Sequence, residues 1–245
     1  VRRAALLIAA LLTGCSSSSG QPMRDAPAKP ASPPIAGDAR HPRVIELFQS
    51  QGCSSCPPAN ANLNRIADRP DVLALSFAVT YWDQLGWKDR FASPAFTRRQ
   101  WDYAHAGGRN QVATPQMIWN GRQAIVGGNP RQVDQLLRTT PPLTAGPAID
   151  AAPGAINIGP GKPTQPATVW LVRYDPRVRQ VAITAGENGG RTLPHRNIVT
   201  ELSDRGRWTG APLRLAVTPP ADPAWKTAVL LQQGPGGPLL AARRF

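Results

Sequence analysis

The tetrad Cys53-Ser54-Ser55-Cys56, set between a short β-rich run and a Pro-Pro step, restricts this chain more than any other feature. Val44, Ile45, Leu47 and Phe48 make residues 43–48 a strand-like run dense in β-formers. Gly52 breaks it, and the two cysteines follow at once. Pro57 and Pro58 are tolerated only in a first helical turn, so a helix opens directly after Cys56. Ala59, Leu63, Ile66 and Ala67 recur on one helical face, and Arg69-Pro70 stops the helix. Residues 72–79 are then almost continuously apolar, as in a strand covered on both faces. The pattern is a βαβ unit with a dithiol at its first strand-to-helix junction.

That position has a chemical consequence. A cysteine at a helix N-terminus faces the partial positive charge of unpaired N–H groups, which favours thiolate at neutral pH. A second cysteine one turn along can resolve a mixed disulfide from within the chain. Cys53 is therefore expected to attack and Cys56 to resolve. The loop between them is too short for much of a fold staple, so reactive chemistry or metal binding is its natural role.

Downstream, residues 112–119 read as a strand entered through Thr114-Pro115, and Asn120-Gly121 is a hairpin signal. Residues 124–126 supply the return strand. Asn129-Pro130 caps and starts a helix with Val133, Leu136 and Leu137 on one face. Strand, hairpin, strand, helix is the C-terminal half of a thioredoxin fold. Between the halves lies an insertion, residues 80–111, with a helix start at Ser93-Pro94 and many aromatic residues. Those aromatics form either a substrate surface beside the thiols or, the preferred reading, a small helical core. Asp83, Lys88 and Asp89 are either solvated or ring the site.

Residues 46–59 (ELFQSQGCSSCPPA), 81–96 (YWDQLGWKDRFASPAF) and 113–121 (ATPQMIWNG) resemble an exported family designated domain of unknown function 1223. The resemblance spans residues 43–215 and implies an α/β thioredoxin-like fold with a C-terminal β-rich extension, of no established activity. The wider similarity to thioredoxin-like enzymes implies that Pro115 is a cis-proline facing the dithiol. It would expose the Thr114 backbone for strand-like pairing with a substrate chain and shield the thiols from stray metal. Glu46 is the candidate for a buried carboxylate that relays protons to the dithiol. It lies seven residues before Cys53, one more than the acid of thioredoxins, which leaves a structural role open.

The N-terminus reads as an export signal: Arg2 and Arg3, an apolar run over residues 4–12, then Thr13-Gly14-Cys15. Leu12-Thr13-Gly14-Cys15 resembles the bacterial lipobox, which implies lipidation of Cys15 and membrane attachment through that lipid. Ser16 is not the Asp that such resemblance links to inner-membrane retention, so an outer-membrane anchor facing the periplasm is expected. Residues 16–42 read as a disordered linker rich in Ser, Pro, Ala and Gly. Lipidation of Cys15 leaves Cys53 and Cys56 as the only thiols, in an oxidising compartment. No apolar run approaches the ~18 residues of a conventional spanning helix.

Residues 141–245 open with a Pro- and Gly-rich linker and then read as a β-rich domain, an antiparallel sheet or sandwich. Strand candidates are 155–158, 168–174, 178–184, 197–202, 213–217, 228–231 and 239–242, with Asp175-Pro176 as a hairpin turn between the second and third. His195 is a lone histidine with a structural role. This region is expected to shape access to the thiols or to bind a partner. The net charge of +13 invites nucleic acid, but no run of Lys or Arg exceeds two residues, so the clustered footprint of phosphate binding is missing.

The leading expectation is a thiol–disulfide oxidoreductase of the cell envelope. It would act on protein or small-molecule thiols and disulfides through the Cys53–Cys56 pair, without a bound cofactor or metal. Two alternatives stay open: a structural disulfide in a non-enzymatic lipoprotein, and a soft-metal protein binding an ion such as Cu(I). Against the latter, His41, His105, His195, Met23 and Met117 show no ligand spacing with the cysteines.

Overall fold

Each helix begins where a proline marks its first turn: α1 (Pro57–Ile66), α2 (Pro94–Ala106) and α3 (Pro130–Thr139). Ser93 caps α2 by accepting from the Ala95 N–H at 3.3 Å, and Asn129 caps α3 by accepting from the Arg131 N–H at 3.0 Å. The computed structural model describes residues 37–245, which lie in one compact unit. Cys15 with its lipobox, and the linker up to residue 36, lie outside the described residues.

The strands are β1 (Arg43–Gln49), β2 (Val72–Ala78), β3 (Gln116–Trp119), β4 (Gln123–Ile125), β5 (Ile149–Ala152), β6 (Ala155–Ile158) and β7 (Ala167–Asp175). They continue with β8 (Arg179–Ala182), β9 (Thr192–His195), β10 (Ile198–Trp208), β11 (Leu213–Ala216), β12 (Lys226–Gln233) and β13 (Leu239–Arg244). The architecture is mixed α/β, dominated by an eight-stranded sheet in the order β13-β12-β7-β10-β2-β1-β3-β4. β1 and β2 pair in parallel and are buried along their whole length, which explains their near-continuous apolar runs.

Alternation along β1 divides the core. Ile45 and Leu47 pack with Leu63 and Ile66 of α1 and Val133 and Leu136 of α3. Val44 and Phe48 face the other way, towards Phe77, Phe96 and Tyr103. This second cluster runs on without a break into Val172, Tyr174, Val199, Leu230 and Leu239. A further cluster, with Trp208, Val169 and Leu231, joins the sheet to the small sheet β11-β6-β5.

The β-rich segment expected as a separate domain at 141–245 therefore does not build its main sheet apart. β10 lies beside β2, and β7, β12 and β13 extend the same sheet outwards in antiparallel fashion. The junction is stitched by Asn197, whose side-chain N–H donates to the Ala74 carbonyl at 2.8 Å and whose own carbonyl accepts from the Ser76 N–H at 2.9 Å.

Two local expectations also change. The hairpin across Asp175-Pro176 is absent: β7 already has β10 and β12 as neighbours, so β8 finds no free edge and pairs with β9 instead. The Thr114-Pro115 segment precedes β3 rather than lying within it. The Asn120-Gly121 turn holds, both residues having positive φ, and a Cβ at Gly121 would stand 2.6 Å from the Gly237 carbonyl oxygen.

Candidate dithiol site

The site starts from the loop that carries β1 into α1. The Cys53 N–H donates to the Ser50 carbonyl, and the Cys56 N–H to the Cys53 carbonyl, each at 3.2 Å. Cys56 is the N-cap of α1, and its carbonyl accepts from the Asn60 N–H at 3.0 Å. Cys53 and Cys56 are joined by a disulfide at this mouth of the helix, and neither has any exposed surface.

Three segments cover the pair. The first carries Thr114 and Pro115, joined by a cis peptide bond. Ser55 bridges it to the dithiol: its Oγ donates to the Thr114 carbonyl at 3.4 Å and lies 3.3 Å from Cys53 Sγ. Beside Pro115 runs a groove of about 430 Å³, walled by Val112, Ile125 and the exposed Val126.

The second segment follows β2. The Trp82 indole N–H donates to Thr114 Oγ1 at 2.7 Å, and that of Trp87 to Gln51 Oε1 at 2.9 Å. Asp89 accepts from the backbone N–H groups of Gln51, at 2.8 Å, and Phe91, at 2.9 Å. Burial pushes the Asp89 carboxyl up to about 6, with its two N–H donors pulling the other way. The insertion's aromatic residues do not form a small core of their own: Phe96 and Tyr103 belong to the core of the large sheet, with Trp82 packed against it, while the Trp82 and Trp87 indoles bond Thr114 and Gln51.

The third segment is the turn between β8 and β9. Asn188, wholly buried, donates from Nδ2 to the carbonyls of Gln51 (2.8 Å) and Cys53 (2.9 Å). The exposed Glu187 accepts from the Ser54 N–H at 3.0 Å; hydrogen bonds from the Ser54 side chain and backbone hold its carboxyl below the usual range. Neither residue stood out in the sequence. Their only signal was Gly189-Gly190, which marks a turn but not what the turn touches.

Glu46, weighed for a proton relay or a structural role, is bound on the far side of the sheet from α1, on the face that packs α2. Its carboxylate takes both Nε (2.7 Å) and Nη2 (2.8 Å) of buried Arg99 and the Tyr103 hydroxyl (3.0 Å). Arg99 also donates to Gln232 of β12 at 3.0 Å, so this ion pair ties β1 to α2 and to the outer strands.

His195 is buried against Phe91 with neither ring nitrogen hydrogen-bonded, in keeping with a structural role. Among the described residues, no three His, Cys, Asp or Glu side chains gather as a metal-holding group, and no helix is long and apolar enough to cross a membrane. A cavity of about 630 Å³ is walled by Trp119, Leu143, Trp208 and Leu240, and no residue of the dithiol loop lines it.

No curated protein matches the chain. Among solved structures, protein AGR_C_4864 from Agrobacterium tumefaciens is similar at 33% identity and TM-score 0.67, over 83% of this chain and 93% of that one. HBP35 of Porphyromonas gingivalis shares the fold alone: 11% identity, TM-score 0.58, over 85% of this chain and 76% of that one. The model of the family described as protein of unknown function DUF1223 matches residues 44–232, from the first residues of β1 almost to the end of β12. That match takes in the dithiol loop and all three segments that cover it, and the chain belongs to the DUF1223 family.

Proposed function

We propose that this protein is a thiol–disulfide oxidoreductase of the bacterial cell envelope, built on a thioredoxin-like core at residues 43–140 with a helical insertion at 80–111. The observation that carries the reading is the Cys53–Cys56 disulfide at the mouth of α1, linked through Ser55 to the Thr114-Pro115 segment. The order β1-α1-β2, then β3-β4-α3 after the inserted α2, with strands arranged β2-β1-β3-β4, supports the thioredoxin-like assignment. The Leu12-Cys15 tetrad supports a lipid anchor through Cys15 and a periplasmic location.

In the reducing direction, Cys53 thiolate attacks one sulfur of a substrate disulfide, forming a mixed disulfide and releasing the other sulfur as thiolate. Cys56 thiolate then attacks Cys53 Sγ, releasing the second substrate thiolate and closing the Cys53–Cys56 bond. Two electrons pass from the protein to the substrate, and oxidation of a substrate runs the same steps backwards.

A second reading, a structural disulfide, is favoured by one observation: both cysteines are fully buried. The equilibrium reduction potential in glutathione buffers, on the lipid-free protein beginning after Cys15, separates the two. A value of roughly −120 to −270 mV establishes a working redox couple. A value below about −300 mV is that of a structural disulfide and ends the oxidoreductase reading.

A further inference from the structure

The β8–β9 hairpin pairs with no strand of the large sheet, yet its tip reaches the dithiol loop. Its base is fixed to α1: Asn64 donates to the Pro194 carbonyl at 3.1 Å, and Arg196 pairs with Asp68 just beyond the helix. Its apolar side, Val181, Ile183 and Leu193, packs on Trp87 and Phe91. At the tip, Gly186 has φ +71°, and a Cβ there would lie 3.1 Å from Trp87 Cβ, so glycine lets the turn settle closely.

Asn188 is the anchor of this tip. Both carbonyls that it reaches belong to the dithiol loop, and its own Oδ1 accepts from Arg191 at 2.7 Å, so both its N–H donors and its oxygen are engaged. The anchor seats the neighbouring Glu187 on the Ser54 N–H. Backbone N–H groups in this loop and at the start of α1 are what would stabilise a Cys53 thiolate. Glu187 takes one of them and places a negative charge beside it.

We propose that Glu187, held by Asn188, is a positioning residue that biases the Cys53–Cys56 couple towards the disulfide by opposing the Cys53 thiolate. The inference rests on the redox reading of the cysteine pair. The balanced exchange is dithiol plus oxidised glutathione giving disulfide plus two reduced glutathiones, with both electrons leaving the cysteines. Among the described residues, other charged side chains hydrogen-bonded to this loop or its anchor are Asp89, on the Gln51 N–H, and Arg191, on Asn188. Neither bonds to Ser54, so the Ser54 contact isolates Glu187.

The test is Glu187→Gln, which keeps an acceptor for Ser54 and removes the charge. Alkylation of Cys53 is followed against pH in the reduced protein, and exchange with glutathione is measured at equilibrium. The variant is expected to alkylate at lower pH and to shift the exchange about threefold towards the dithiol, the scale of an exposed charge at a helix start. Both differences should shrink in high salt. Asn188→Ala, which frees the tip, should move both readouts in the same direction.

An unchanged alkylation profile and an unchanged equilibrium in Glu187→Gln would overturn the proposal. So would differences indifferent to salt, since charge would not then be their cause. The two readings fail separately. A wild-type couple poised in the range of structural disulfides sinks the oxidoreductase assignment, while the alkylation profile still reports whether Glu187 acts on Cys53.

Discussion

Asp89 and His195 share one neighbour, Phe91, whose N–H bonds the carboxylate and whose ring meets the imidazole edge-on at 6.1 Å. Burial acts on them in opposite senses. It raises the Asp89 carboxyl to about 6 and, helped by the Arg90 charge, lowers the His195 imidazole to about 4. Between about pH 4 and 6 the folded protein holds more protons at Asp89 than the unfolded chain does, so that contribution to stability falls as pH rises. Between about pH 4 and 6.5 the unfolded chain holds more protons at His195, so stability rises with pH. Each shift is worth on the order of 3 kcal/mol, and the two nearly cancel in the wild type. Denaturant titrations at several pH values should therefore show little slope in the wild type over this window. Asp89→Asn should become more stable with rising pH, and His195→Leu less stable. Parallel curves for all three proteins would show that neither group is shifted as described.

At the level of elements, the join between β2 and β10 turns on a single residue. Asn197 has φ +50°, a backbone conformation that asparagine and glycine tolerate, and its side chain satisfies the buried Ala74 carbonyl. Asn197→Gly keeps the backbone and loses the side-chain bond, and should cost about 1–2 kcal/mol. Asn197→Ala adds backbone strain of about 1 kcal/mol or more, so its denaturation midpoint should lie below that of the glycine variant. Equal midpoints would mean that the backbone conformation carries no cost. The contrast also shows what could be read in advance. Ser93-Pro94, Asn129-Pro130 and Asn120-Gly121 are short-range signals, and each sits where its chemistry demands a cap or a turn. The dithiol at the mouth of α1 was legible for the same reason. The pairing of β10 with β2, and the reach of Asn188 to Gln51 across more than a hundred residues of chain, are long-range choices settled by which strand edges and carbonyls remain free. Glu46 shows the limit within a single strand: alternation put it with Phe48, but only the packing of α2 made that the face away from α1.

For the whole molecule, the question is whether residues 37–140 could stand without the rest. Removing residues 141–245 would strip β10 from β2 and uncover the aromatic cluster of Phe77, Phe96 and Tyr103 where it meets Tyr174, Leu230 and Leu239. The buried Arg99 guanidinium would lose Gln232, and the Asn120 carbonyl would lose the Leu239 N–H. Exposing each large apolar side chain costs about 1.5–3 kcal/mol. A few of them together match the about 5–15 kcal/mol that holds a domain folded. The outer strands are thus a wall of the core, and the same segment supplies the hairpin that covers the dithiol. A fragment ending at residue 140 should accordingly give a poorly dispersed amide spectrum and bind a hydrophobic dye. The chain from residue 37 to 245 should unfold in one transition, seen alike by Trp fluorescence and by circular dichroism. A fragment that melts cooperatively with a dispersed spectrum would instead make residues 141–245 an appendage. In that case the covering of the dithiol by Asn188 and Glu187 would be a contact between separable parts, and the redox couple could be measured with and without its cover in otherwise intact folds.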